Sequence, residues 1–175
     1  MFKIWRRLKE LLQEPKVKWV PLREDSKMPQ RATDGSCGYD VCASRVLEKQ
    51  TKEVIGDLPA EIRPGESMLL GIGVAFEVSP CCYAAELGPR SNFEPKLGIR
   101  LGGAPGTIDP DFRGEATVFL INDGKIPFMV KKNMRIAQLV FRKVETPVWE
   151  KVASLSETER GKKGLGSTGL EEIKK

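Results

Sequence analysis

Histidine is absent from all 175 residues of the chain. Ser-His-Asp hydrolysis, Cys-His chemistry and histidine-ligated metals are therefore excluded. A general base has to be a carboxylate or, less readily, a lysine, tyrosine or cysteine. Cysteine is scarce too. The four present, Cys37, Cys42, Cys81 and Cys82, fit no C-x-x-C metal spacing, and the adjacent Cys81 and Cys82 make a poor disulfide pair. They read as reduced thiols on the strands of a cytoplasmic protein. No apolar run approaches the roughly 20 residues that a membrane span needs. Aromatic residues make up only 7% of the chain. That is too few for the interleaved aromatic and basic surface of a nucleic-acid-binding barrel, so nucleic acid is not an expected partner.

What is present is enough for one domain with a sound core. The net charge of +5 mildly favours anionic partners, and a solvated basic surface accounts for it equally well. The opening residues, MFKIWRRLKELLQEP, place Phe2, Ile4, Trp5, Leu8, Leu11 and Leu12 mostly on one helical face. Lys3, Arg6, Arg7 and Lys9 lie elsewhere, and Pro15 ends the pattern. Such a basic amphipathic helix can lie on an anionic membrane through residues 1–15. Packing against its own domain or a sister subunit is the favoured reading. An organelle-targeting peptide comes third, because Glu10 and Glu14 are present and serine is not.

Beyond Pro15 the helical period disappears. Short apolar or alternating runs follow: VKWVPL, GYDVCAS, SMLLGIGVAFEV, YAAEL, ATVFLI, IPFMV and RIAQLVF. Turn residues punctuate them, as in RPGES, GGAPG and NDGK. This spacing predicts an all-β domain, closed or sandwiched, with one short helical turn in NFEPKLG. Three segments result: residues 1–16 as the helix, 17–155 as the β-domain, and 156–175 as a flexible glycine-rich arm. The arm contains RGKKGLGSTG, which is rich in phosphate-gripping residues but lacks the P-loop spelling and the helix that would follow it.

Four further stretches carry chemistry. ATDGSCGYDVCAS puts Asp40 on a strand, and LGPRSNFEPKLGI puts Arg90 and Ser91 where a strand meets a turn. PGTIDPDFRGEATV is a hairpin with Asp109, Asp111 and Phe112, and KKNMRIAQLVF holds Arg135 and Gln138. Singly each is weak, since an Asp-Pro-Asp turn is more often turn chemistry than catalysis. Together with the arm, in this order and spacing, they resemble the five motifs of the trimeric dUTP diphosphatases, or dUTPases. Members of that family look like A-x-x-G-S-A-G-Y-D-L, P-R-S-G-L-A, G-x-I-D-x-D-Y-R-G-E, G-D-R-I-A-Q-L-V and R-G-x-G-G-F-G-S-T-G. The resemblance covers roughly residues 17 to 170.

It implies a dUTPase-like distorted jelly roll (β-clip) and a homotrimer with active sites at the subunit interfaces. It also implies cleavage of dUTP to dUMP and diphosphate, which limits uracil incorporation into DNA and supplies dUMP for dTMP synthesis. In this family the arm closes over the triphosphate as a lid. By resemblance, Asp109 orients and deprotonates the attacking water and contacts the deoxyribose 3′-hydroxyl. Mg²⁺ rides on phosphate oxygens and waters, with Asp40 holding one of those waters from the outer shell. Arg90, Ser91 and Gln138 position the phosphates; Arg160, Ser167 and Thr168 clasp the terminal one, with Gly166 among the arm's exposed N–H groups. The backbone from Gly103 to Ile108, including Gly106 and Thr107, reads the uracil edge. Phe112 stands where a tyrosine usually packs on the sugar and excludes a ribose.

The chain departs from the family pattern at further places. Leu165 replaces the phenylalanine that would stack on uracil. Asn92-Phe93-Glu94 replaces Gly-Leu-Ala, which puts a bulkier group near the phosphate site. Asn133-Met134 replaces Gly-Asp, which predicts a differently shaped turn and leaves Arg135 without an assigned role. The nearest rival is dCTP deaminase, a sister family on this fold, but its catalytic glutamate falls at Phe119, which cannot relay protons. A bifunctional deaminase-dUTPase fails for the same reason. A nucleotide-sensing regulatory protein on this scaffold is the non-enzymatic alternative, disfavoured by the intact Asp40, Arg90, Asp109 and Gln138.

Overall fold

The computed structural model describes residues 14–164. The expected N-terminal helix lies outside the described residues, as do Leu165, Gly166, Ser167 and Thr168 of the arm. Fourteen strands occur among the described residues. The first five are β1 (Lys16–Pro21), β2 (Gln30–Arg31), β3 (Tyr39–Cys42), β4 (Arg45–Leu47) and β5 (Val54–Gly56). Then come β6 (Ala60–Ile62), β7 (Ser67–Gly71), β8 (Val74–Ser79), β9 (Tyr83–Gly88) and β10 (Ile99–Leu101). The last are β11 (Gly106–Ile108), β12 (Thr117–Asn122), β13 (Phe128–Val130) and β14 (Arg135–Lys143).

All the pairings are antiparallel. One five-stranded sheet runs β10-β12-β7-β4-β5 and a second runs β11-β9-β14-β3-β2. Two-stranded ribbons, β1-β8 and β13-β6, complete the domain. The strands alternate as half-buried sheets require: in β12, Val118, Leu120 and Asn122 are buried while Thr117, Phe119 and Ile121 are half-buried. Leu70, Leu120, Ile136 and Leu139 are at most 1% exposed and form the centre of the core. The protein is all-β, as the sequence predicts.

The run SMLLGIGVAFEV, which reads as one strand, is two. Gly73 sits at φ +76°, a left-handed geometry natural to glycine. The chain turns there, and the Gly73 N–H donates to Glu115 Oε1 at 2.6 Å. The helical turn expected in NFEPKLG is present at Phe93–Leu97. It corrects one expectation. Phe93 is 5% exposed and packs edge-to-face on Phe128 at 5.8 Å. The Arg90–Phe93 turn, closed by Phe93 N–H to the Arg90 carbonyl at 3.0 Å, sends the ring into the core.

The cysteines correct another. All four are free thiols, but only Cys42 lies on a strand; Cys37 precedes β3, and Cys81 and Cys82 form the β8–β9 turn. Burial, followed by the charge of Asp40, raises the Cys42 thiol above its usual range. Residues up to Glu145 form one compact unit, and those from Thr146 form a second. In the second unit Val148, Trp149 and Leu155 are exposed. A turn joins Thr158 and Gly161 through a 3.0 Å backbone hydrogen bond. No helix among the described residues is long and apolar enough to cross a membrane.

Candidate functional site

Strand register gathers the first group of functional side chains. Gln138 of β14 stands opposite Asp40 of β3 on one side and Gly88 of β9 on the other. Two residues past Gly88 comes Arg90, so the first, second and fourth motifs meet at one end of the sheet. Asp40 is the hub. Its Oδ1 faces Arg90 Nε at 3.2 Å and its Oδ2 accepts from Arg135 Nη1 at 2.9 Å. Arg90 also donates from Nη1 to the Arg135 carbonyl at 3.3 Å. The carboxylate, whose side chain is only 15% exposed, therefore fixes two guanidinium groups side by side. That arrangement suits a polyphosphate, which presents many oxygens to planar donors.

Gln138 donates from Nε2 to the Pro89 carbonyl at 2.9 Å, which ties the strand to the Arg90 turn. Gly38 backs it. A Cβ at that position would meet Gln138 Oε1 at 2.1 Å, so the Gly-Tyr-Asp spelling of the first motif reflects a lack of room. Asn133 adopts φ +61°, a left-handed geometry that asparagine tolerates better than most residues. The Lys131–Met134 turn closes at 3.0 Å and is pinned to Ala43 by two backbone hydrogen bonds of 2.9 and 2.8 Å. The reshaped turn predicted from Asn133-Met134 is thus a turn that an asparagine fits in glycine's place. Beside the hub lies a cleft of about 390 Å³ with Lys27, Arg31, Asn133 and Arg135 on its walls. Sequence reasoning missed Lys27 and Arg31 and left Arg135 without a role. The signal for Arg135 was its place in the fourth motif, three residues before Gln138.

The second group lies in the hairpin. Gly106, Thr107, Ile108, Asp109, Phe112 and Glu115 line a cavity of about 250 Å³. The backbone of β11, paired to β9, forms one wall. Asp109 is exposed, and its carbonyl accepts from the Phe112 N–H at 3.1 Å. Phe112, 45% exposed, offers a flat apolar face. The other carboxylate here, Glu115, is fully engaged: Oε2 pairs with Arg45 Nη2 at 2.5 Å and Oε1 accepts from Gly73. Glu115 and Arg45, which the sequence did not single out, brace the cavity. Of the two carboxylates, Asp109 is the one placed to take a proton. Gly103, at φ +71° in the preceding turn, lies outside the cavity's lining.

The two groups stay apart within one chain. Ile108 pairs with Ala85, so Asp109 leaves the hairpin near the start of β9, whereas Arg90 leaves its far end. Ala85 to Gly88 alone covers about 10 Å of strand. Neither cavity shares a lining residue with the other. Ser91 is exposed beside Arg90. Arg160 belongs to the second unit, in the Thr158–Gly161 turn.

Known proteins resemble this chain over most of its length. Residues 24–169 match the family model described as dUTPase. The deoxyuridine 5′-triphosphate nucleotidohydrolase of Rickettsia felis is 41% identical over 143 residues, covering 82% of this chain and 88% of the relative. That of Rickettsia bellii is 42% identical over 144 residues, with the same coverage of both chains. Among solved structures, a mutant dUTPase of Staphylococcus bacteriophage 80alpha with dUpNHpp superposes with a TM-score of 0.74 at 22% identity, covering 89% of this chain and 99% of that one. A mutant dUTPase of phage phi11 of S. aureus, described with a structural Mg(II) ion, gives a TM-score of 0.67 at 18% identity, covering 81% and 99%.

Proposed function

The chain belongs to the dUTPase family, and from that membership we propose which of its residues carry out the hydrolysis of dUTP to dUMP and diphosphate. The enzyme is a dUTP diphosphatase. The observation that carries the residue assignment is the pairing of Asp40 with both Arg90 and Arg135 at one end of the sheet. Arg90 and Arg135, with Gln138 and Ser91, hold the triphosphate. The Asp109 cavity takes the nucleoside: the β11 backbone reads the uracil edge and Phe112 packs on the sugar. Asp109 aims a water at the α-phosphorus and takes its proton as the new P–O bond forms. The bond to the bridging oxygen breaks, and diphosphate leaves with the bonding electrons. Arg160, Leu165, Gly166, Ser167 and Thr168 belong to the arm that covers the phosphates.

Among the described residues, no three His, Cys, Asp or Glu side chains gather into a metal cage. The Mg²⁺ is accordingly proposed to arrive on the triphosphate, where it neutralises phosphate charge. Asp40 suits an outer-shell part. Its Oδ2 accepts from Arg135 and its Oδ1 is ion-paired with Arg90, and both oxygens keep lone-pair capacity for a metal-bound water.

A complete site needs the Asp109 hairpin of one subunit beside the Arg90 end of another, and this supports a homotrimer. The exposed Val148, Trp149 and Leu155 are the kind of apolar surface that a second subunit covers. Light scattering is expected to find a trimer; an active monomer would contradict the shared site. A diphosphate-release assay over dUTP, dCTP, dTTP and UTP tests the specificity. Turnover of dUTP alone, dependent on Mg²⁺, is the expected result, and ammonia from dCTP would overturn it.

The Gly38 contact supplies a sharper test. Gly38→Ala pushes the Gln138 amide off its position while leaving the fold intact. A hydrogen bond to a charged group contributes about 1.5–3 kcal/mol. The KM for dUTP is therefore expected to rise roughly tenfold or more, with the melting temperature nearly unchanged. An unaltered KM would remove Gln138 from the phosphate site.

A further inference from the structure

The cleft beside Asp40 carries unbalanced positive charge. Gln30 of β2 stands opposite Asp40, and Arg31 opposite Tyr39, so β2 forms one wall. Lys27, Arg31 and Arg135 face about 390 Å³ of space, a volume in the range of small-ligand sites. Among the described residues, Asp40 is the single carboxylate on the walls. Its Oδ1 is ion-paired with Arg90 and its Oδ2 accepts from Arg135. Lys27 and Arg31 are left with no carboxylate there to balance them.

The fold sets Lys27 near the hub. A turn closes from Arg23 to Ser26 through two hydrogen bonds of 3.1 Å, Arg23 N–H to Ser26 Oγ and Ser26 N–H to the Arg23 carbonyl. Asp25, inside that turn, pairs with Arg23 at 3.7 Å and with Lys132. The hydrogen bond from Lys132 holds the Asp25 carboxyl below its usual range. Lys132 belongs to the Lys131–Met134 turn that leads into Arg135, so the segment carrying Lys27 lies against the segment carrying Arg135. Lys27 is exposed and makes no hydrogen bond or ion pair among the described residues. The Cys42 thiol on the cleft wall shows where its charge sits. After burial, that thiol feels Asp40, Arg135, Arg90 and Lys27. One sulfur senses all four charges, which places Lys27 beside the hub.

We propose, resting on the triphosphate reading of the hub, that this cleft binds a diphosphate group and that Lys27 is a further phosphate-positioning residue. Arg135 belongs to both hub and cleft, and from it the β- and γ-phosphates of dUTP extend toward Lys27 and Arg31. A triphosphate carries more negative charge than the two hub arginines offset. Lysine binds phosphate as a point charge and needs no fixed plane, which suits the rotating end of the chain. When the bond from the α-phosphorus breaks, the leaving diphosphate already lies in the cleft. The same chemistry has two sources, the terminal phosphates of bound dUTP and free inorganic diphosphate, and each is assayed.

Lys27→Gln removes the charge and keeps most of the side-chain length. Arg31 is a poorer choice, because its Nη1 donates to the Asp34 carbonyl at 2.7 Å and its guanidinium lies 5.9 Å from the centre of the Tyr39 ring. Inorganic diphosphate is titrated calorimetrically into the full-length parent, Lys27→Gln, Lys27→Arg and Lys131→Gln. The last makes the same charge change on an exposed lysine outside the cleft lining. Losing one charged hydrogen bond is expected to weaken diphosphate binding by Lys27→Gln roughly tenfold or more. The KM for dUTP should rise similarly, with the loss falling on KM and not on kcat. Lys27→Arg should recover most of both, and Lys131→Gln should follow the parent. Inhibition by dUMP, which lacks the β- and γ-phosphates, should be the same throughout. Unaltered diphosphate binding by Lys27→Gln would overturn the proposal. So would an equal loss in Lys131→Gln, which would mean a long-range field, or an equal loss of dUMP inhibition. A parent that fails to turn over dUTP would overturn the triphosphate reading instead, and the diphosphate titration would still decide the cleft.

Discussion

Asp109→Asn is expected to lower dUTP turnover by roughly 10²–10⁴-fold, the usual contribution of a positioned general base, with nucleotide binding and the fold retained. Asparagine keeps the shape of the side chain and loses its basicity. The cavity offers no substitute: both Glu115 oxygens are taken by Arg45 and the Gly73 N–H. Nor does the chain contain a histidine. Asp109 is exposed, and its fold-bearing contact is a backbone one, the carbonyl that accepts from the Phe112 N–H. The loss should therefore fall on kcat, with KM and the melting curve little changed. Asp111→Asn, two residues on and also exposed, is the control and should stay within a few-fold of the parent. Single-turnover kinetics distinguish the chemical step from product release. Turnover of Asp109→Asn within a few-fold of the parent would place the base elsewhere.

The largest effect on stability is expected at Asn122, a polar side chain with 0% exposure. Its Nδ2 donates to the carbonyls of Ile62 at 2.8 Å and Ile126 at 2.9 Å, and its Oδ1 accepts from the Gly124 N–H at 2.9 Å. One amide thus satisfies three backbone groups and ties the end of β12 to β6 and to the following turn. Asn122→Leu keeps the volume and leaves those groups unpaired. A buried unpaired group costs about 1–3 kcal/mol; the Ile62 contact is buried and the other two are part-buried, so the variant should lose about 1–3 kcal/mol. For a domain of this size that is a fall of about 2–12 °C in melting temperature. The comparison needs equal protein concentrations, since assembly makes the melting temperature concentration-dependent. A fall below ~2 °C would mean that these backbone groups find other partners.

The sequence by itself determined the family and the all-β class, and it named most of the residues that the proposed site uses. It did so because chemistry is local in a motif: Gly-Tyr-Asp, Pro-Arg-Ser, Ile-Asp-Pro-Asp and Arg-Ile-Ala-Gln each carry their residue types within a few positions. Longer strands such as β9, β12 and β14 were legible from alternation. Strands of two or three residues, such as β2, β5 and β10, were not, because so short a stretch shows no period and owes its pairing to distant neighbours. Tertiary structure alone decided who touches whom. Arg135 had no role until β14 paired with β3 and brought it to Asp40. Glu115 and Arg45, 70 positions apart, became a brace only when the sheets closed. Phe93 looked like an obstacle at the phosphate site, and a hydrogen-bonded turn sent its ring into the core instead. Pairings of this kind depend on strand register and on the burial that fixes it, and neither is written in any short stretch of the chain.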